Sequence, residues 1–323
     1  MNYPIHDELK AFSGFTMPKA AISTKGSVLY NALSGLTTSV VRPQKGILME
    51  NYTIEGHEAG VVDVRMYTPS GMKEPSPALL YIHGGGFLHR ASVMYHAISW
   101  RYAVGAQCKV VFVDYRTAEE YPFPTSLEDC FCSWKWLTKR APVLGIDPQR
   151  IAIAGDSAGG ALAAGVTHLV KERGGIMPSF QLLVYPVTDQ SQSTKSMREF
   201  VDTPAWNSEL NALMWENYLR HGDFDRLHHA SPLMNHDFSN LPPAYIEVAE
   251  FDCLRDEGIA YGEKLMASGV ETQSVLIQGA FHGFDRFFHT ELVKKVFEDR
   301  YKALSSAFKN YTTYVMEERD GPK

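Results

Sequence analysis

The chain has 323 residues, 45% of them apolar and 21% charged, with a formal net charge of −6 from 31 basic and 37 acidic side chains. This composition excludes disordered, collagen-like and coiled-coil chains, and Lys/Arg runs no longer than two argue against nucleic acid as a partner. The length fits one large α/β domain or two small ones.

Residues 1–45 open with MNYPIHDELK, which has neither the basic segment nor the apolar stretch of a signal peptide. No run approaches the ~18 apolar residues of a membrane span. Four cysteines, Cys108, Cys130, Cys132 and Cys253, are too few for a disulfide scaffold and form no pair of CxxC motifs. They read as reduced, mostly buried thiols, and the expected setting is the cytoplasm, with no membrane partner.

Two β-like runs come first, Ile47 to Ile54 and Val61 to Thr68. The second alternates in places, as an antiparallel pair with one wet face would. Short continuous apolar runs follow at Ala78 to Ile82, Val110 to Val113, Ile151 to Ala154, Leu182 to Tyr185, Tyr245 to Val248 and Val275 to Ile277. Strands buried on both faces read this way. Helical segments fall between and after them: Met94 to Ala106, Ser126 to Arg140, Ala158 to Lys171, Glu257 to Ala267 and Leu292 to Phe308. The alternation predicts a doubly wound α/β fold, a mostly parallel sheet of about eight strands with a ligand site at the strand ends. Residues 190–230 interrupt it. There Leu210, Leu213, Met214 and Tyr218 recur at helical spacing. That helix is either a lid over the strand ends or a surface insert with its own small core.

The segment GDSAG, residues 155–159, matches G-x-S-x-G between a β run and a helix-like run. A turn this tight exposes the Ser157 hydroxyl on strained backbone, and Gly155 and Gly159 leave no room for a β-carbon. HGGGF, residues 83–87, follows a strand directly, as an oxyanion-hole loop does. The amides of Gly84, Gly85 and Ala158 are the expected donors; the loop matches neither GxGxxG nor GxxxxGK[ST], so a phosphate loop is set aside. A serine nucleophile needs a base and an orienting acid, and the chain order that goes with this G-x-S-x-G turn is Ser, then acid, then His. Of seven later histidines only His282 sits on a short glycine-flanked segment just after a buried strand. The loop after Val248 offers Glu250, Asp252, Asp256 and Glu257 as acids, and Asp252 is best placed, off the strand end but before the helix. His228 and His229 with His236 and Asp237 match no standard ligand spacing, so no metal is expected, nor any organic cofactor.

In order along about residues 78–290, HGGGF (83–87), VDYR (113–116), YPFPTSLEDC (121–130), GDSAGG (155–160), AEFDCLRDEG (249–258) and FHGF (281–284) resemble one family. It is the hormone-sensitive-lipase-like esterases, the bacterial family IV carboxylesterase branch of the α/β-hydrolase superfamily. The resemblance implies a Ser157–Asp252–His282 triad with Gly84, Gly85 and Ala158 as oxyanion donors. It implies a serine carboxylesterase that forms an acyl-enzyme with a small-molecule ester. It also implies a helical cap made of residues 1–45 and 190–230 over a core of residues 46–189 and 231–323. The triad positions and the 83–86 loop must converge, so no domain boundary falls between them. Phe87, Asp156, Phe200, Trp206, Trp215 and Phe281 are the expected pocket, and the bulky cap residues favour acetyl to butyryl groups. An aryl formamidase or other amidase on the same scaffold, and a non-catalytic ligand receptor, are the alternatives; a receptor typically lacks the base, and His282 is present. Family members often form homodimers, though no residue pattern here speaks for one. Three departures stand out: Thr117-Ala118-Glu119-Glu120 where L-A-P-E is usual, Cys253 where proline is common, and Phe281 before the histidine.

Overall fold

The computed structural model describes residues 3–38, 41–221 and 224–319. The chain begins with two 3-10 turns, Asp7–Phe12 and Lys19–Ile22, and helix α1 (Thr24–Thr38). Strands β1 (Ile47–Glu55), β2 (Val61–Pro69) and β3 (Ser76–Ile82) follow, then α2 (Val93–Gly105), β4 (Lys109–Asp114), α3 (Thr125–Arg140), β5 (Ile146–Asp156), α4 (Ala158–Arg173) and β6 (Gln181–Val184). The interrupting segment contains α5 (Lys195–Glu199), α6 (Ser208–Tyr218) and α7 (Leu227–Ala230). The alternation then resumes with β7 (Ala244–Phe251), α8 (Arg255–Ala267), β8 (Thr272–Phe281) and α9 (Glu291–Arg319).

The described strands form one eight-stranded sheet in the order β1-β2-β4-β3-β5-β6-β7-β8. β1 pairs antiparallel with β2 and β2 with β4, and every other pairing is parallel. Most of the continuous apolar runs lie in the middle, where both faces are covered: every residue of Ala78–Ile82 is fully buried, whereas β1 at one edge is mostly wet. The run Val275 to Ile277 lies in β8 at the other edge, where Leu276 is exposed rather than buried. Helices α2 and α9 cover one face and α3, α4 and α8 the other. β5 starts earlier than the apolar run at Ile151. Ile146 pairs with Ser76 before an irregularity that absorbs the polar stretch to Arg150.

The N-terminal segment and the insert pack on each other. Thr16 bridges to Ala205, Phe15 O accepts from Ala205 N at 2.7 Å, and Asn217 Nδ2 on α6 donates to Ile22 O at 3.2 Å. Three of their ties to the sheet domain fall on the unusual Thr117–Glu120 loop. Asn31 of α1 donates to Glu119 Oε1 at 2.5 Å, and Arg220 donates to the carbonyls of Ala118 and Glu119. None of the four cysteines is paired, and burial raises the thiol pKa of each. Among the described residues no helix is long and apolar enough to cross a membrane.

Candidate active site

Ser157 stands between β5 and α4 with φ +58° and ψ −122°, a conformation few L-residues adopt. The turn holds because its flanks are bare. A β-carbon on Gly155 would lie 2.0 Å from Gly159 O, and one on Gly159 would lie 2.2 Å from Ile82 O. Ser157 N donates to Val184 O, which ties the turn to β6.

His282 follows β8 directly and Asp252 follows β7 directly, so sheet pairing delivers both to the end where Ser157 emerges. His282 Nε2 lies 3.0 Å from Ser157 Oγ, and His282 Nδ1 lies 2.6 Å from Asp252 Oδ2. Asp252 is fully buried, and its other oxygen accepts from Leu254 N at 3.0 Å. With the Nδ1 proton held by the carboxylate, Nε2 is left to accept the serine proton. The other acids of the same loop are engaged elsewhere. Glu250 accepts from Gly279 N, Asp256 accepts from Ser196 N of the insert, and Glu257 accepts from Thr188 N and Asp189 N. Burial pushes the Glu257 carboxyl well above its usual range. The unusual Cys253 contributes its carbonyl, which accepts from Ser196 Oγ at 2.8 Å.

The glycine loop after β3 runs beside the serine. Gly85 and Gly86 have φ of +121° and +61°, which only glycine takes without strain. Among the described residues no hydrogen bond engages the amides of Gly84, Gly85 or Ala158. Ala158 is the first residue of α4, where helix amides lack intrahelical acceptors and the dipole favours negative charge. The loop is braced from below. Tyr115 Oη donates to His83 O at 2.9 Å, and the neighbouring Arg116 makes a two-pronged ion pair with buried Asp129. The sequence segments VDYR and LEDC therefore meet in space. Burial depresses the His83 pKa to about 4, so the ring stays neutral at ordinary pH.

The six expected pocket residues do not gather in one place. Trp206 does reach the site: its ring centre is 6.1 Å from that of His282, and a β-carbon on Gly86 would meet it at 3.2 Å. Phe87 and Trp215 are interior packing. Phe87 stacks on Tyr218 at 3.8 Å, and Trp215 sits against both. Phe200 packs on Tyr3 and Phe251, joining the N-terminal segment to β7. Phe281 is buried against Phe287. Asp156 is also interior, because strand alternation turns it away from the serine's side. It accepts from Tyr81 Oη at 2.5 Å, and burial together with nearby Asp285 pushes its pKa up to about 7.

Residues outside the expected pocket take part instead. Met214 flanks Gly86, Tyr185 packs on the His282 ring at 4.5 Å, and Tyr95 places its hydroxyl beside Gly84. Away from the site, Glu172, His228 and His229 bring ligand-type atoms within 4.8 Å of one another. His229 Nε2 already pairs with Glu172 at 2.6 Å, and Asp237 is held by Lys171. This group lies at the C-terminal end of α4, opposite the serine.

The arrangement has counterparts among known proteins. A family model described as alpha/beta hydrolase fold matches residues 79–286. The chain is 37% identical to Esterase LipI of Mycobacterium tuberculosis over 257 residues, covering 78% of this chain and 79% of the relative. It is 36% identical to an ethyl acetate hydrolase of Pseudomonas putida over 239 residues, covering 72% and 74%. The crystal structure of a thermostable esterase from Pseudomonas putida ECU1011 superposes with a TM-score of 0.84 at 30% identity, covering 94% of this chain and 98% of the other.

Proposed function

We infer that this chain, which belongs to the alpha/beta hydrolase family matched over residues 79–286 and is a carboxylic ester hydrolase, cleaves short-chain acyl esters, acetyl to butyryl, through Ser157, His282 and Asp252. The observation that carries this reading is the hydrogen-bonded run Asp252–His282–Ser157 beside three unengaged amides. In the proposed reaction His282 Nε2 takes the Ser157 proton as Oγ attacks the ester carbonyl. The amides of Gly84, Gly85 and Ala158 donate to the oxyanion that forms. His282 returns the proton to the departing alcohol, and water repeats the sequence on the acyl-enzyme. Asp252 fixes the imidazole tautomer and stabilises its protonated form.

Residues 1–45 and 190–230 act as a cap in this proposal, with Trp206 and Met214 forming the wall that limits the acyl chain. The four unpaired thiols fit a reducing, cytoplasmic setting. Ser157→Ala should lower turnover of p-nitrophenyl acetate by about 10⁴-fold or more without changing the melting temperature appreciably. Near-wild-type hydrolysis by that variant overturns the assignment.

A further inference from the structure

The oxyanion loop has two unlike sides. Gly86 faces the cap's apolar Trp206 and Met214, which a β-carbon there would meet at 3.2 and 3.4 Å. Gly84 and Gly85 lie against Tyr95 and His89: a β-carbon on Gly84 would lie 2.7 Å from Asp156 O, 2.9 Å from Tyr95 Oη and 3.2 Å from Ser157 Cβ, and one on Gly85 would lie 2.8 Å from His89 O and 3.1 Å from His89 Cβ. Behind those rings stands a cation. Arg286 Nη2 donates to Tyr95 Oη at 3.1 Å, and its Nε is 3.5 Å from where a Gly283 β-carbon would lie, next to His282. Tyr30 of α1, stacked on His89 at 4.2 Å, completes the cluster.

Three buried or half-buried arginines elsewhere are held by acids, while Arg220 is held by the carbonyls of Ala118 and Glu119. Arg116 pairs with Asp129, Arg173 with Glu128, and Arg300 with Glu247 and Asp285. Among the described residues no carboxylate lies within ion-pair distance of Arg286, although Tyr95, to which it donates, is buried and Arg286 itself is solvent-accessible. The phenol groups of Tyr95, Tyr185 and Tyr30 and the nearby Asp285 raise its pKa, and burial lowers the His89 pKa with a smaller contribution from the Arg286 charge. A permanent, solvent-accessible cation with a hydroxyl partner and no carboxylate in ion-pair contact is the recognition chemistry of a carboxylate.

We propose that Arg286 binds a carboxylate carried by the alcohol part of the ester, so that the substrates are O-acylated hydroxy acids whose short acyl chain lies against Trp206 and Met214. The inference rests on Ser157 as nucleophile. In the reaction Ser157 Oγ forms the bond to the acyl carbon, the bond to the alcohol oxygen breaks, and that oxygen takes its proton from His282. The hydroxy acid leaves with its carboxylate still ionised, and water then releases the short-chain acid from Ser157.

The test compares kcat/KM on 3-acetoxybenzoate and on phenyl acetate, which share an acyl group and have phenol leaving groups of similar basicity. In Arg286→Gln the ratio of the anionic to the neutral ester should fall about tenfold or more, mainly through KM, and Arg286→Lys should restore part of it. In the wild type the same ratio should fall as ionic strength rises from about 0.01 to about 1 M, a readout that needs no variant to fold. A ratio unchanged within about twofold in Arg286→Gln, or insensitive to salt in the wild type, overturns the proposal while leaving the nucleophile reading intact, provided Ser157→Ala abolishes phenyl acetate turnover. A ratio that falls only for p-nitrophenyl hemisuccinate against p-nitrophenyl butyrate moves the carboxylate to the acyl side and overturns the assignment to the alcohol. Failure of the wild type to turn over either acetate ester overturns both readings together.

Discussion

Ser157, Asp252 and His282 stand at the ends of β5, β7 and β8, each one residue beyond a strand registered against its neighbours. Trp206 and Met214 reach the same site from a segment that belongs to no strand. Its main-chain ties run to the N-terminal segment at Thr16 and Met17 and to the sheet domain at Phe123, and the side chains of Arg220 and Ser196 add further bonds to that domain. The sheet side is fixed by a ladder of main-chain bonds, in which a one-residue slip would turn every side chain to the wrong face. The cap side is fixed by packing and a few side-chain bonds, which tolerate repacking. The sheet side therefore suits chemistry that needs sub-ångström placement, and the cap side suits selection of substrate shape.

The sharpest way to break this division is Asp252→Asn. The amide keeps the shape and can still accept from Leu254 N, but it favours the wrong imidazole tautomer. The expected result is a fall in kcat of about 10⁴-fold on p-nitrophenyl acetate, with circular dichroism unchanged. A loss of less than about tenfold would mean that the sheet side does not set the rate.

A smaller effect is expected from the cap. Trp206→Ala removes the ring beside Gly86 and His282, so the pocket lengthens while the reacting atoms stay where they are. In a series of p-nitrophenyl esters the optimum should move to longer acyl chains, with kcat/KM on acetate changing by about tenfold or less. A loss comparable to that of Asp252→Asn would erase the distinction between the two sides. An unchanged optimum would remove Trp206 from the acyl wall.

The same division governs what the amino-acid sequence reveals. The inner strands are legible because strands buried on both faces are continuous apolar runs, and the eight β-like runs in the sequence fall on the eight described strands, although β1 and β8 at the edges are largely wet. The glycines at 155 and 159 are legible because no other residue fits between carbonyls at that spacing. Helix α1 is not legible, because its pattern is inverted. It buries Ser27, Asn31 and Ser34 against the core, where Asn31 and Ser34 bond to the carbonyls of Leu88 and Ala91, and it leaves Val28, Leu29 and Leu33 exposed. Periodicity of apolar residues cannot report a helix docked by hydrogen bonds. The pocket lining is illegible for a related reason. Trp206, Phe200 and Trp215 are equally bulky in sequence, and only contacts with residues distant in the chain, His282 for the first, Tyr3 and Phe87 for the other two, separate them. Asp156 looks like a site residue because it adjoins the nucleophile, yet the alternation of β5 turns it to the opposite face.

Asp156 supports the smallest prediction, which concerns the cost of the sheet side's construction. It is buried and accepts from Tyr81, the charges of Asp285, Arg300 and Arg286 act on it, and one of its oxygens has no partner among the described residues. Burial first, and then Asp285, hold its pKa near 7 against an ordinary 3.8. Between those values the folded chain keeps a proton that the unfolded chain has released. This group therefore lowers stability as pH rises from about 4 to about 7 and has no further effect above that. The buried neutral histidines act in the opposite sense: His83, His96 and His168, with pKa values depressed to about 4, 3 and 3, destabilise the fold as pH falls below the ordinary 6.5. Asp156→Asn leaves the histidine contribution in place and removes the carboxyl one. The difference between the melting temperatures at pH 8 and pH 5 should then become more positive in the variant than in the wild type, by a few degrees at most. A difference that stays the same or becomes more negative would mean that Asp156 is already ionised below pH 5, with Arg300 and Arg286 outweighing burial.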